Sequence, residues 1–178
     1  MKLQVCGQSI EASSVSYAGR VPTDQPRWLN QRERDAWMPF VGLLLKLPHA
    51  LDAAMRRDTG LTHFEYVVLS ALSESADRTR PMSELAAIAN ASQSRLSHVV
   101  AKLEQRDWVR RSGCPTNGRL VMATLTESGY AEVVATAPLH VDAVRALVID
   151  ALDTSQLDQL AAIATRILST LDDEPADS

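Results

Sequence analysis

Apolar positions recur at helical spacing along most of the chain and give way to strand-like alternation once. Between Gln93 and Gln105, Leu96, Val99, Val100 and Leu103 fall at i, i+3, i+4 and i+7, a single stripe for a core. Ser92 precedes this helix as an N-cap whose hydroxyl can accept from the amide of Ser94 or Arg95. A shorter helical pattern, Ser83 to Ala89, breaks at Asn90-Ala91-Ser92, so two helices meet at a tight turn. Beyond them, Trp108–Arg111 and Leu120–Leu125 read as paired strands around a turn-rich loop, Ser112 to Arg119, with Asn117-Gly118 near its far end.

The flanking segments are also helical. Asn30, with Glu33 at the third helical position, starts a helix carrying Trp37, Phe40, Val41, Leu44, Leu45, Leu47, Leu51 and Met55. That apolar surface is too broad for a helix packed on one side, and a sister subunit is the simplest cover for it. Pro39 and Pro48 interrupt the pattern, and Pro48 should bend the helix by removing a donor opposite the Leu44 carbonyl. Thr62 to Glu65 is a capping box opening a helix to about Ser73, and Ser75 to Pro81 has the character of a turn with a short third strand. A long helix follows from Thr126 to about Val148, kinked at Pro138. A last one, capped by Thr154, carries Leu157, Leu160, Ala161, Ala164, Ile167, Leu168 and Leu171 on one stripe. The expected fold is mainly α with a small β-hairpin: a flexible arm (1–29), a helical dimerisation region (30–58 and 127–172), a winged helix-turn-helix (59–126) and an acidic tail (173–178).

Charge changes the picture through its distribution. The 178-residue chain carries a formal −4 and is 46% hydrophobic, ordinary for one folded domain. Between Asp77 and Arg119, however, eight Arg and Lys face four Asp and Glu, a local +4 that leaves −8 on the remainder. Screening confines phosphate attraction to roughly 10 Å, so the local value decides. Cys6 and Cys114 have no paired spacing, which implies neither a disulfide framework nor a zinc cluster. No signal pattern and no apolar run of spanning length is found, so the expectation is a soluble cytoplasmic protein with no membrane partner.

The helix after the turn presents Ser94, Arg95, Ser97, His98 and Lys102 opposite its apolar stripe, the inventory of a recognition helix aimed at double-stranded DNA. Ser92 and Gln93 lie at its start, suited to a phosphate or an adenine edge. Arg95 suits a guanine edge; Lys102, Arg110 and Arg111 suit phosphates; Arg119 at the hairpin tip suits a minor groove. Met82-Ser83-Glu84-Leu85-Ala86, the run Ser92 to Glu104, Asn117-Gly118-Arg119 and Leu125-Thr126-Glu127-Ser128-Gly129 together resemble the MarR family of bacterial transcriptional regulators. The Cys114-Pro115-Thr116 and Gly118-Arg119 wing is similar to that of an actinobacterial subgroup. The resemblance runs from about Trp28 to the last helix. It implies a homodimeric winged helix-turn-helix protein, a repressor whose DNA affinity is modulated by a small ligand or by oxidation. The family usually has Asp where Asn117 stands, so here a neutral acceptor replaces the carboxylate beside Arg119.

No catalytic constellation is found, and neither metal nor cofactor is expected. His49, His63 and His140 read as isolated surface or helix-end histidines, with His98 set apart on the outward face. A small aromatic or amphipathic effector would find Trp28, Trp37, Phe40, Leu44, His49, Phe64 and Tyr66 as candidate crevice residues, although the same residues at helical spacing serve equally as core. Cys114, near Arg111 and Arg119, is a candidate redox switch set against passive occupancy. A different class of reading, a winged helix that docks an acidic protein rather than DNA, stays open; salt dependence and operator preference distinguish the two.

Overall fold

The computed structural model describes residues 26–114 and 117–172, which divide into two compact units, one ending at Met38 and one from Pro39 onward. The first 25 residues of the expected arm, the acidic tail and Pro115-Thr116 lie outside the described residues.

In the N-terminal unit, Asn30 and Glu33 close the expected capping box at the head of α1 (Gln31–Thr59). The Asn30 amide donates to Glu33 Oε2 at 2.8 Å and the Glu33 amide to Asn30 Oδ1 at 3.0 Å. Pro39 and Pro48 lie inside α1, so neither interrupts it.

From Pro39 the unit is mainly helical with one small sheet. After α1 come α2 (His63–Ser73), a 3₁₀ turn (Ala76–Arg78), β1 (Thr79–Pro81), α3 (Met82–Ile88), α4 (Gln93–Gln105), β2 (Val109–Cys114), β3 (Asn117–Leu125), α5 (Glu127–Leu147), a second 3₁₀ turn (Ile149–Ala151) and α6 (Thr154–Asp172). The three strands form an antiparallel sheet in the order β1-β3-β2, so Thr79–Pro81 is the third strand. The hairpin is longer than expected. Ser112, Gly113 and Cys114 pair with Met122, Val121 and Asn117, with a register irregularity between Gly113 and Cys114. Ladder bonds are backbone bonds, so a polar, turn-like composition does not prevent pairing on an exposed hairpin.

The core gathers one side of the elements from α2 to α5: Leu61, Val68, Leu69 and Leu72 from α2 and its lead-in, Leu85 from α3, Leu96, Val100 and Leu103 from α4, Val109 and Leu125 from the hairpin, and Val133 from α5. Three close approaches lock it. Asp52 on α1 accepts from the His63 amide at 3.0 Å, one of the orphan donors of the first turn of α2. The Thr126 amide donates to the Trp108 carbonyl at 3.0 Å, and the Ser128 hydroxyl to the Asp107 carbonyl at 2.7 Å. Gly129 then passes so close to the residue before β2 that a Cβ there would sit 2.1 Å from the Trp108 oxygen. α5 continues through Pro138. The cap of α6 is Asp153, not Thr154: its carboxylate accepts from the Gln156 amide while Gln156 Oε1 accepts from the Asp153 amide, both at 2.9 Å.

Candidate nucleic-acid interface

The turn between α3 and α4 is built by two consecutive caps. Asn90 stands just past α3 at φ 45°, a left-handed conformation that asparagine tolerates better than most residues. There the Ala91 amide reaches back to the Ala86 carbonyl at 2.9 Å and the Asn90 amide to Ala87 at 3.1 Å, the paired bonds of a Schellman motif. Ser92 then caps α4, its hydroxyl accepting from the Arg95 amide at 3.2 Å. The same device closes α4: Asp107 adopts φ 56°, and the Trp108 amide returns to Leu103 at 3.0 Å. Neither turn uses glycine.

Between these caps α4 divides cleanly. Leu96, Val100 and Leu103 are fully buried, while Gln93, Ser94, Arg95, His98 and Lys102 are exposed and Ser97 is half-buried. The outer face of the first two turns carries no carboxylate, so its positive charge is uncompensated by its own helix. Arg95 has a partner of another kind. Its guanidinium carbon lies 4.3 Å from the centroid of the Phe64 ring on α2.

The basic residues of the hairpin are differently engaged. Arg111 is clasped by Glu104 at the end of α4, with Nη2 to Oε2 at 2.6 Å, Nε to Oε2 at 2.8 Å and its amide to Oε1 at 2.9 Å. These bonds hold the Glu104 carboxyl below its ordinary pKa. Arg111 therefore ties the hairpin to α4 rather than offering an unengaged cation. Arg110 is exposed, with a looser 3.3 Å contact to Asp107. The Arg119 and Asn117 side chains lie outside the described residues; Cys114 is half-buried at the end of β2.

Residues 61–121, from the lead-in of α2 through most of β3, match the MarR family profile. Over a larger span, the chain is similar to Sco3205 of Streptomyces coelicolor, a MarR family transcriptional regulator solved in complex with DNA. Identity is 41%, over 87% of this chain and 97% of that one, with a TM-score of 0.80. The chain belongs to the MarR family. It is also similar to AbsC, another MarR family regulator of Streptomyces coelicolor, at 35% identity over 83% of this chain and 99% of that one, TM-score 0.76. The S. aureus MepR–DNA complex shares the fold at 18% identity over 74% and 95% of the two chains, TM-score 0.64. No curated protein gives a significant match.

In this MarR family member the expected crevice residues differ in burial and in what they line. Phe64 lines a cavity of about 690 Å³ bounded also by Pro48, Asp52, Arg56, Asn90, Arg95 and Lys102. Tyr66 is buried, with its ring 4.5 Å from that of His140. Phe40 is half-buried, while Leu44 and His49 are exposed, and none of these three lines that cavity. Trp28 and Trp37 belong to the N-terminal unit and are exposed there.

The structure also corrects the reading of His63 and His140 as isolated. They stack from α2 and α5 at 5.5 Å between ring centroids. Burial lowers the pKa of both; the charge of Asp52 opposes this at His63, and that of His63 reinforces it at His140. A pair 77 positions apart has no signature in sequence spacing. Among the described residues no group of three or more His, Cys, Asp or Glu is arranged to hold a metal, and no helix is long and apolar enough to cross a membrane.

Proposed function

We propose that this MarR family protein is a sequence-specific regulator, in the sense of a repressor, that binds a pseudo-palindromic DNA operator in the cytoplasm as a homodimer. The observation that carries the proposal is the division of α4: a buried apolar stripe opposite an exposed, acid-free face of Ser94, Arg95, His98 and Lys102. Similarity at 41% identity to a protein solved on DNA supports it. So does similarity to two Streptomyces regulators, which also favours the actinobacterial-type subgroup.

In this reading the start of α4 enters the major groove. Arg95 reads a guanine edge; Gln93, Ser94, Ser97 and His98 provide secondary contacts; and Ser92 with the helix N-terminus holds a phosphate. Lys102 and Arg110 neutralise phosphates, Arg111 acts mainly by holding the hairpin, and Arg119 reaches the minor groove. Dimerisation is supported by apolar surface that this single chain leaves uncovered, notably Leu45 on α1 at 73% exposure and Leu171 on α6 at 64%. A two-fold pair would address half-sites about one helical turn apart. A small aromatic or amphipathic effector would release the operator by binding one of the two shapes more tightly.

The test is selection of an operator from a random duplex pool, followed by anisotropy titrations. Arg95→Ala should relax base preference at one position per half-site, by about 1–3 kcal/mol. Lys102→Ala should weaken all duplexes alike and reduce the salt slope by about 1. Unchanged affinity in both variants overturns the placement of α4.

A further inference from the structure

We infer that Phe64, on a helix outside the helix-turn-helix pair, is a positioning residue for base reading by Arg95. The inference rests on the proposed DNA reading. Most arginines around the recognition helix are held by acids: Arg78 by Glu127, Arg80 by Glu84, Arg110 by Asp107 and Arg111 by Glu104. An acid takes up the N–H edge of the guanidinium, the edge that a base or phosphate would need. Arg95 differs. Among the described residues it has no ion pair, and its guanidinium rests over the Phe64 ring at 4.3 Å.

A ring and an acid hold arginine in different ways. The five N–H donors lie in the guanidinium plane and point outward, whereas a ring touches only one face of that plane. A ring contact of this kind restricts the long side chain without supplying a carboxylate to take up the N–H donors that a guanine edge needs. The seat is itself firmly built. Phe64 occupies the first turn of α2, fixed by the Thr62–Glu65 capping box, with bonds of 2.8 and 2.9 Å, and by the fully buried Leu61 before it. Its ring packs against the core cluster that also includes Leu96, Val100 and Leu103 of α4.

The part of Arg95 specificity that depends on this seat is what a partly exposed cation–π contact provides, about two- to five-fold in base preference. The experiment compares full-length wild type, Phe64→Leu, Phe64→Tyr, Arg95→Ala and the Phe64→Leu/Arg95→Ala double variant. Each is titrated with the selected operator, with operators altered at the position where Arg95→Ala loses preference, and with a random duplex. Phe64→Leu should lose about two- to five-fold of preference at that position alone, with random-duplex affinity unchanged. Phe64→Tyr, which keeps the ring face, should retain the preference, and the double variant should match Arg95→Ala. Full preference in Phe64→Leu alongside a loss in Arg95→Ala overturns the role of Phe64 and leaves Arg95 as reader. Full preference in Arg95→Ala overturns both. If Phe64→Leu fails to fold, the NMR shifts of the Arg95 side-chain protons in wild type decide. Upfield ring-current displacement supports the seat, and ordinary shifts overturn it.

Discussion

Arg111 and Glu104 join the hairpin to the recognition helix through both the backbone and the side chain of the arginine, with contacts of 2.6 to 2.9 Å. One carboxylate thereby adds a polar tie between the hairpin and α4 to the core contacts of Val109 and Leu125. That carboxylate is only 28% exposed, so the contact is less screened than an ordinary surface pair.

Glu104→Gln should lower stability by about 1 kcal/mol at neutral pH, measured by urea unfolding. Because the Glu104 pKa is depressed in the fold, the stabilisation in wild type is fully present above the ordinary value of 4.5 and is lost as pH falls through the lowered value. The variant should lack that acid-side loss. Equal acid sensitivity in both proteins would refute this role.

Gly129→Ala sets two effects against each other. Alanine favours a helix by about 1 kcal/mol over glycine. Here its methyl would lie 2.1 Å from the Trp108 carbonyl oxygen and 2.8 Å from Leu125 Cδ1, and a backbone oxygen already held by the Thr126 amide cannot step aside cheaply. We expect a net loss of about 2–3 kcal/mol, read as a clear drop in Tm. A neutral or stabilising result would mean that α5 can withdraw from β2.

At Asn90 the backbone decides. Asn90→Ala should cost about 1 kcal/mol because alanine lacks the left-handed tolerance of asparagine at φ 45°. Asn90→Gly should be neutral or mildly stabilising by thermal melt. The reverse order would contradict the Schellman cap.

The stacked His63–His140 pair should make stability depend on pH above the acid range. Burial lowers both pKa values, so the fold favours the neutral rings. Below the ordinary value of 6.5 the unfolded chain takes up protons that the folded one resists, and stability should fall until the lowered folded values are reached. His140→Phe keeps a ring against Tyr66 and removes one proton site, so its denaturation midpoint should vary less between about pH 7 and 5. A slope as steep as that of wild type would remove the pair from the account.

Much of the site was legible in the residues because its determinants are local. The bounds of α4, the Ser92 cap and the Thr62–Glu65 box depend on neighbours within four positions, which periodicity and capping rules address directly. The family resemblance was readable for the same reason, as a run of ordered short motifs. The full length of the hairpin is not legible in this way, because backbone pairing of Ser112–Cys114 is indifferent to side-chain polarity. The cap of α6 is ambiguous in the sequence because two capping residues, Asp153 and Thr154, stand side by side.

The amino-acid order by itself determined which segments are helices, which face of α4 is apolar and where positive charge collects, since each follows from interactions a few residues apart. Only the tertiary structure decided which arginine is clasped by Glu104, which rests on Phe64, and that His63 meets His140. Those outcomes depend on where separate elements come to rest against one core, and packing brings together residues that no spacing along the chain relates.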